Sequence, residues 1–256
     1  MTAYDTWDSY FWPDAPGVLK NKFGIKNYPD LAVAEAHAVA PRMRGIILDS
    51  PSTLPETVDL DYYRQVHHRL FQDVYSWAGT TRVVPQGAMA KQWRDVVNFA
   101  PDDRTAPWVT YRYAPGRDVE ERATAVFSNL EHALSDPKCH APQTFIPTVA
   151  QHWGQLDQVH PFREGNTRSQ TMLMAIVCRK YGYALDGVQL LARREEFIGA
   201  RYHGHGTGHY GRLTALLLDT VGPRASEQVT DQERHWAESL TATTPPRRPP
   251  SHDLSR

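Results

Sequence analysis

The chain has 256 residues, of which 41% are hydrophobic, with a net charge of −1 and two cysteines. That length can bury one substantial core, and the near-neutral charge excludes a global field that would draw the protein to nucleic acid or anionic lipid. Cys139 and Cys178 make neither a disulfide framework nor a zinc-spacing pattern. The opening MTAYDTWDSYFW has no basic start with an apolar run, and no stretch approaches the ~18 apolar residues of a membrane span. The expectation is a protein of the reducing cytoplasm without membrane or nucleic-acid partners, with export by a route lacking a classical signal left open.

An aromatic arm fills residues 1–28. Alanine-rich helical spacing follows over about 29–48, and a second helix over about 58–77 around Val66, Leu70 and Val74. Residues 79–116 are broken up by Gly79, Pro85, Gly87, Pro101, Pro107 and Pro115, while Arg82-Val83-Val84, Val96-Val97 and Trp108-Val109 offer short strands. Helices then recur at about 117–135, 143–158, 166–181, 192–203 and 209–221, with a C-terminal helix over 223–240. The tail 241–256, rich in Pro and polar residues, is expected to be disordered. The fold class is mainly all-α, a helical bundle with a small β-hairpin flap, its main domain covering 29–222.

Two of these helices flank the stretch that carries chemistry. Phe145, Ile146, Val149, Trp153, Leu156 and Val159 recur at spacings of three and four, and Pro161 marks the end of their helix. Met172, Leu173, Ile176, Val177 and Tyr181 continue the period up to a stop at Gly182, which places Cys178 in the core. Between them, residues 160–171 read HPFREGNTRSQT.

His160 titrates near neutral pH, and Glu164 is a hard oxygen ligand suited to Mg²⁺. Gly165 lets the backbone approach a phosphate, Asn166 suits an N-cap, and the first amides of the following helix form an anion site. Arg168 adds a forked donor one turn in. Phe162 is expected to turn inward and fix the loop. Taken singly, each residue has a plain structural use; structure alone does not require all of them within nine residues, and together they suit a nucleotide phosphate. His203, His205 and His209 in HGHGTGH offer imidazoles to a transition metal, although glycines there more simply join two helices. Arg193-Arg194 and Arg247-Arg248 are isolated pairs, not a nucleic-acid stripe.

The stretch resembles the signature of the Fic family, commonly HPFx(D/E)GNGRxxR. Asp8 to Arg42 and the block HHRLFQDVYSWAGTTRVV (His67 to Val84) extend the likeness over about residues 8–222. The resemblance implies transfer of AMP from ATP, or of another nucleotide's monophosphate, onto a hydroxyl of a target protein. It makes His160 the general base and Glu164 the holder of Mg²⁺. Gly165 and Asn166 would form the anion hole, with Phe162 and Thr167 in the nucleotide site, and Arg168 would be a catalytic contact to the phosphates. A hairpin at about 82–100 with Gln86, Gly87 and Lys91 would be the flap that lays the target's Ser, Thr or Tyr across the site.

Two positions depart from the signature: Thr167 stands for its second glycine and Thr171 for its final arginine. Both bear on phosphate binding, so a reposed triphosphate, another phosphate-containing donor and a weakened enzyme stay open, as does a nucleotide- or peptide-binding module without turnover. The family's restraining helix reads (S/T)xxxE(G/N). Ser52 to Glu56 fits only in part, with Thr57 following and Pro55 inside, so restraint would come from a separate small inhibitory chain or be lost with the arginine.

Overall fold

The computed structural model describes residues 4–49, 54–86, 88–224 and 228–240; Ser52, Gly87 and the tail from 241 lie outside the described residues. The arm carries a short antiparallel hairpin, β1 (Phe11–Trp12) with β2 (Ala15–Leu19), too brief to show alternation in sequence. Helix α1 (Tyr28–Ile47) begins where the Asn27 side chain accepts the Asp30 amide at 2.9 Å, and α2 (Leu60–Phe71) where Asp59 accepts that of Tyr62 at 2.7 Å. Both are N-caps that satisfy otherwise orphaned donors.

Helix α2 stops at Phe71, short of the expected 77. Tyr75 and Trp77 are both buried and stack with ring centroids 4.4 Å apart. Residues two apart on a helix point to opposite sides, so the chain leaves the helix in a run of turns to bury both rings.

The flap is an antiparallel pair, β3 (Ala88–Arg94) and β4 (Trp108–Pro115), with Lys91 opposite Tyr111. Its strands correct the expectation for this segment. Arg82-Val83-Val84 is not a strand, because Arg82 is buried and directed at carbonyl groups. Val96-Val97 lies in a turn where the Asp95 carboxylate accepts from the amides of Val97 and Asn98, each at 3.0 Å.

Next come α3 (Val119–Ser135), α4 (Pro142–Val159), α5 (Asn166–Lys180), β5 (Tyr183–Leu185), α6 (Gly187–Ala192), α7 (Arg194–Thr207), α8 (Gly211–Thr220), β6 (Val221–Pro223) and α9 (Asp231–Ser239). The helix expected at 192–203 is two helices meeting at Arg193, and the end of the one expected at 209–221 is β6, paired with β5. The fold is mainly helical, with three two-stranded antiparallel pairs among the described residues. No described helix is long and apolar enough to cross a membrane.

The core centres on α4 and α5. The six apolar residues read from the α4 period are all buried, and α5 is buried almost all round, including Ser169, Gln170 and Arg179, as befits a central helix. Burial pushes the Cys178 thiol up to about 12. One apolar cluster runs from Tyr10 in the arm to Leu240, and a smaller one joins Met89, Val96, Tyr111 and Tyr113 of the flap region to Tyr202 of α7.

A buried charge group locks the C-terminal helix. Glu233 accepts the Thr230 amide at 2.8 Å in a capping box, and it also accepts from Arg179 Nε at 3.1 Å and Arg224 Nη2 at 3.2 Å. Arg179 Nη2 donates to Ile47 O at 2.7 Å, tying α5 to the end of α1. Removing one member of a buried pair leaves an uncompensated charge, at a cost of ~3–5 kcal/mol. Glu233→Ala is therefore expected to lower the unfolding free energy by that amount, measured by urea denaturation at neutral pH; a loss no larger than that of an exposed variant such as Glu238→Ala would contradict the assignment.

Candidate active site

Helix α4 ends on His160, which sits in the left-handed region at φ 52, ψ 64. A histidine rarely takes that conformation, but the following Pro161 disfavours continuing the right-handed helix, and the turn is clamped from outside. Arg82, fully buried, donates from Nε to His160 O at 2.8 Å and from Nη2 to Ala114 O at 2.7 Å and Val159 O at 3.1 Å. Its own amide donates to Pro161 O at 2.8 Å. Burial pushes this guanidinium down to about 10, still charged at neutral pH. Arg82 thus fastens the His160 turn to the flap.

The imidazole is 3% exposed and packs on the Tyr113 ring of β4, centroids 4.0 Å apart. Nδ1 faces the Asp157 carbonyl at 3.3 Å and its carboxylate at 3.7 Å, both acceptors. Nε2 faces the Lys91 ammonium of β3 at 3.4 Å, a pure donor. These partners assign the proton to Nδ1 and leave Nε2 as the acceptor. Burial first, and Lys91 next, push the imidazole down to about 4, so it is neutral at pH 7. Burial alone would raise the Asp157 carboxyl, but Arg201 at 2.8 Å and His160 outweigh it and hold it well below the usual range.

The loop after His160 is closed from within. Phe162 is fully buried and stacks on His67 at 3.8 Å, while the Asn166 amide accepts from Phe162 N–H at 2.9 Å and donates to Phe162 O at 2.7 Å. These two residues hold the loop from inside, and the N-cap is Gly165, not Asn166. Gly165 has φ 83, and any Cβ there would strike the Phe71 ring. Both facts demand glycine. The amides of Asn166, Thr167 and Arg168 precede the first intrahelical bond of α5, from Ser169 N–H to Gly165 O at 3.0 Å, and are the anion-binding end of that helix.

His67 joins this loop to the turn after α2. Its Nδ1 accepts the Gly79 amide at 2.9 Å, so Nε2 carries the proton and donates to Glu164 O at 3.0 Å. Burial pushes it down to about 3, and it stays neutral. The Glu164 carboxylate, 31% exposed, accepts the Gly165 amide at 3.0 Å and lies 3.9 Å from Arg168. Arg168 is bound to Glu35 of α1 at 2.6 Å and lies over Phe71 at 4.7 Å. Although burial alone would lower its pKa, Glu35 and Glu164 raise it. Glu35 also accepts from the Tyr75 hydroxyl.

The flap brings Lys91 to His160, whereas Gln86 is exposed and donates to Val83 O at 3.2 Å. The three histidines of HGHGTGH do not converge: His203 Nδ1 meets His209 O at 3.3 Å, His205 Nε2 meets Arg112 O at 2.6 Å, and no cluster of three metal-binding side chains occurs among the described residues. Residues that sequence reading missed are Arg82, Asp157, Arg201, His67 and Glu35. Asp157 and Arg201 left a signal, since each puts a charge on the apolar face of its helix, beside Trp153 and Phe197.

Residues 57–178, which span α2, the flap and the motif loop, match the model of the Fic/DOC family. The likeness to the Fic/DOC family covers this segment. The chain is 27% identical over 194 residues to a probable protein adenylyltransferase of Sinorhizobium fredii, covering 76% of this chain and 88% of that one. It is 28% identical over 217 residues to the protein adenylyltransferase VbhT of Bartonella schoenbuchensis, covering 85% of this chain and 40% of that longer protein. The N-terminal Fic domain of a Bartonella quintana Bep effector, solved with bound ADP, superposes with a TM-score of 0.67 at 26% identity, over 85% of this chain and 96% of that one.

The two departures from the Fic signature have defined places. Thr167 Oγ1 accepts from Arg201 Nη1 at 3.4 Å, and the Thr171 hydroxyl donates back to Thr167 O at 2.8 Å. A neutral hydroxyl thus stands where the signature has a guanidinium.

His67 and His160 both bind protons more weakly in the folded chain than the free side chain's 6.5. Below that value the unfolded state takes up protons that the folded state refuses, so the stability contribution is full above pH 6.5 and falls as pH drops towards 4. Each group contributes a slope of ~1.4 kcal/mol per pH unit. Urea unfolding between pH 7 and 5 is expected to show this loss, and His67→Gln to flatten the slope by one such increment; an unchanged slope would place a charged His67 in the folded chain.

Proposed function

We propose that this chain transfers the AMP moiety of ATP to a hydroxyl side chain, Ser, Thr or Tyr, of a target protein. The observation that carries the reading is a neutral imidazole, His160, with Nε2 held as a proton acceptor beside the flap, at one end of a loop whose other end is the amide terminus of α5. In the reaction Nε2 takes the hydroxyl proton, the oxygen forms a bond to the α-phosphorus, and the bond from that phosphorus to its bridging oxygen breaks, releasing pyrophosphate. A neutral base suits this task, and most of the barrier lowering in such transfers comes from positioning and charge stabilisation. The adenylyltransferases of S. fredii and B. schoenbuchensis support the reaction class, and the bound ADP of the B. quintana domain supports a nucleotide as co-substrate.

Glu164 fits a Mg²⁺ holder: it is a partly exposed hard carboxylate at the open-amide end of α5, and Mg²⁺ is commonly held by one or two carboxylates plus substrate phosphates. When bound, the metal supplies neutralisation of phosphate charge. The amides of Asn166 to Arg168 bind phosphate oxygens, Gly165 lets them approach, and Arg168, paired with Glu35, steadies Glu164. The free cysteines, one of them buried, suit a reducing cytoplasm as the place of action. Restraint is left to a separate small chain. Glu56 of the partial restraint segment lies beside Lys180, at the end of α5 away from the motif, with its carbonyl accepting from Nζ at 2.6 Å.

A second reading, a nucleotide-binding module without turnover, draws on Arg168 being engaged by Glu35 and on the neutral Thr171. Transfer from labelled ATP, GTP, UTP or CTP into lysate proteins, with and without Mg²⁺, separates the two, and the added mass names the donor. His160→Ala is expected to lower transfer by ~10²-fold or more, and Glu164→Ala to abolish both activity and its metal dependence. Nucleotide binding with no transfer from any donor would favour the module, and magnesium-stimulated transfer by Glu164→Ala would refute the metal assignment.

A further inference from the structure

Arg201 lies on α7, outside the segment matched to the family. Its side chain is 7% exposed and lies over Phe197 at 4.4 Å. A single nitrogen, Nη1, donates to Asp157 Oδ1 at 2.8 Å and to Thr167 Oγ1 at 3.4 Å. One guanidinium therefore spans the last turn of the helix that carries the base and the first turn of the helix that carries the anion site. Asp157 in turn presents both its carboxylate and its carbonyl to His160 Nδ1. Well-packed apolar residues can serve stability as well as a buried ion pair does, so the contact with the imidazole calls for a role of its own.

We propose that Asp157 and Arg201 are positioning residues for the base: Arg201 holds the Asp157 carboxylate in place, Asp157 holds Nδ1–H of His160, and Nε2 is thereby kept as the proton acceptor towards the flap. This deepens the reading of His160 as general base and rests on it for its catalytic consequence. The second contact of Arg201 makes Thr167 part of the same unit, so the residue that departs from the signature is braced against the group that orients the base.

The charged and titratable groups around His160 set the expected responses. Lys91 faces Nε2 from β3, Tyr113 packs on the ring from β4, Asp157 faces Nδ1 from α4, and Arg82 holds the backbone carbonyl. From α7, Arg201 acts through Asp157, and His205 packs against Tyr113 at 5.3 Å, with Tyr202 bonded to the Tyr113 hydroxyl at 3.0 Å. Removing the carboxylate charge leaves the cations and burial unopposed, so His160 should titrate lower. Removing Arg201 directs the full carboxylate charge at the ring, so His160 should titrate higher.

The test is ¹⁵N NMR of the histidine rings in the full chain across pH, independent of any transfer assay. Wild type is expected to show the Nδ1–H tautomer at His160. Asp157→Asn should mix the tautomers and lower the titration, Arg201→Met should raise it, and Arg201→Lys should restore wild-type behaviour. A merely structural role would move Asp157→Asn and Arg201→Met in the same sense or not at all. If Arg201→Met does not fold, the double variant with Asp157→Asn removes both charges together and should match Asp157→Asn.

In the transfer assay Asp157→Asn should lower kcat ~10–100-fold, the loss that removing the outer partner of a metal-bound imidazole commonly causes, with KM for nucleotide unchanged and no further loss in the double variant. An unchanged tautomer and titration in Asp157→Asn would overturn the proposal. The predicted ring shifts in a chain that transfers nothing would uphold the positioning and overturn the proposed activity instead.

Discussion

Between α4 and α5 the chain reverses through two left-handed residues, His160 at φ 52 and Gly165 at φ 83, and the rest of the site depends on that reversal being rigid. A left-handed conformation costs a non-glycine residue ~1–2 kcal/mol, so it must be held by what surrounds it. Arg82 takes the carbonyl groups of Val159 and His160, Asn166 closes the turn onto Phe162, and His67 joins Glu164 to the turn after α2. Each contact satisfies a backbone group that the reversal leaves without a helical partner, which is why buried polar side chains gather here. The same contacts bring the base to one end of the loop and the open amides to the other.

Burial does the electrostatic work. A histidine in water is part charged at neutral pH, whereas His160, shielded and facing Lys91, is held neutral and able to accept a proton. Arg82 is held by carbonyl groups alone, while other buried charges come in pairs: Asp157 with Arg201, Arg179 with Glu233, and Arg168 with Glu35 at the rim. Such pairs add little net stability against apolar replacements, but each admits few geometries. Arg179 fixes α9 against α1 and α5, Arg168 fixes α1 against the loop, and Arg201 fixes α7 against both helices of the site.

The parts legible in sequence were those governed by local period and contiguous motif. Spacing found α1, α3, α4 and α5 to within about two residues at either end, and the motif placed His160, Glu164, Gly165 and Asn166 in one loop. What stayed hidden depends on contacts across the fold. The early end of α2 follows from the Tyr75–Trp77 stack, only Trp108-Val109 of the three segments read as flap strands lies in one, and β5–β6 joins residues nearly forty positions apart. Arg82 looked like a strand residue because nothing local says that its partners include carbonyls some eighty residues away. Asp157 sits on the buried face three residues before His160, and a carboxylate there asks for a partner even before Arg201 is seen.

The cations near the loop are largely engaged, and this bears on the proposed reaction. Arg163 lies over Trp7 at 3.9 Å, Arg168 is bound to Glu35, Arg201 to Asp157, and Lys91 faces His160. Thr171 offers a hydroxyl where the family signature offers a guanidinium, and that hydroxyl already donates to Thr167 O. In the proposed reaction phosphate binding would then rest on the α5 amides and on a cation at Glu164, unless the donor competes with Glu35 for Arg168. The substitution therefore bears on phosphate contacts in that reaction, while His160 keeps the acceptor geometry that the loop sets.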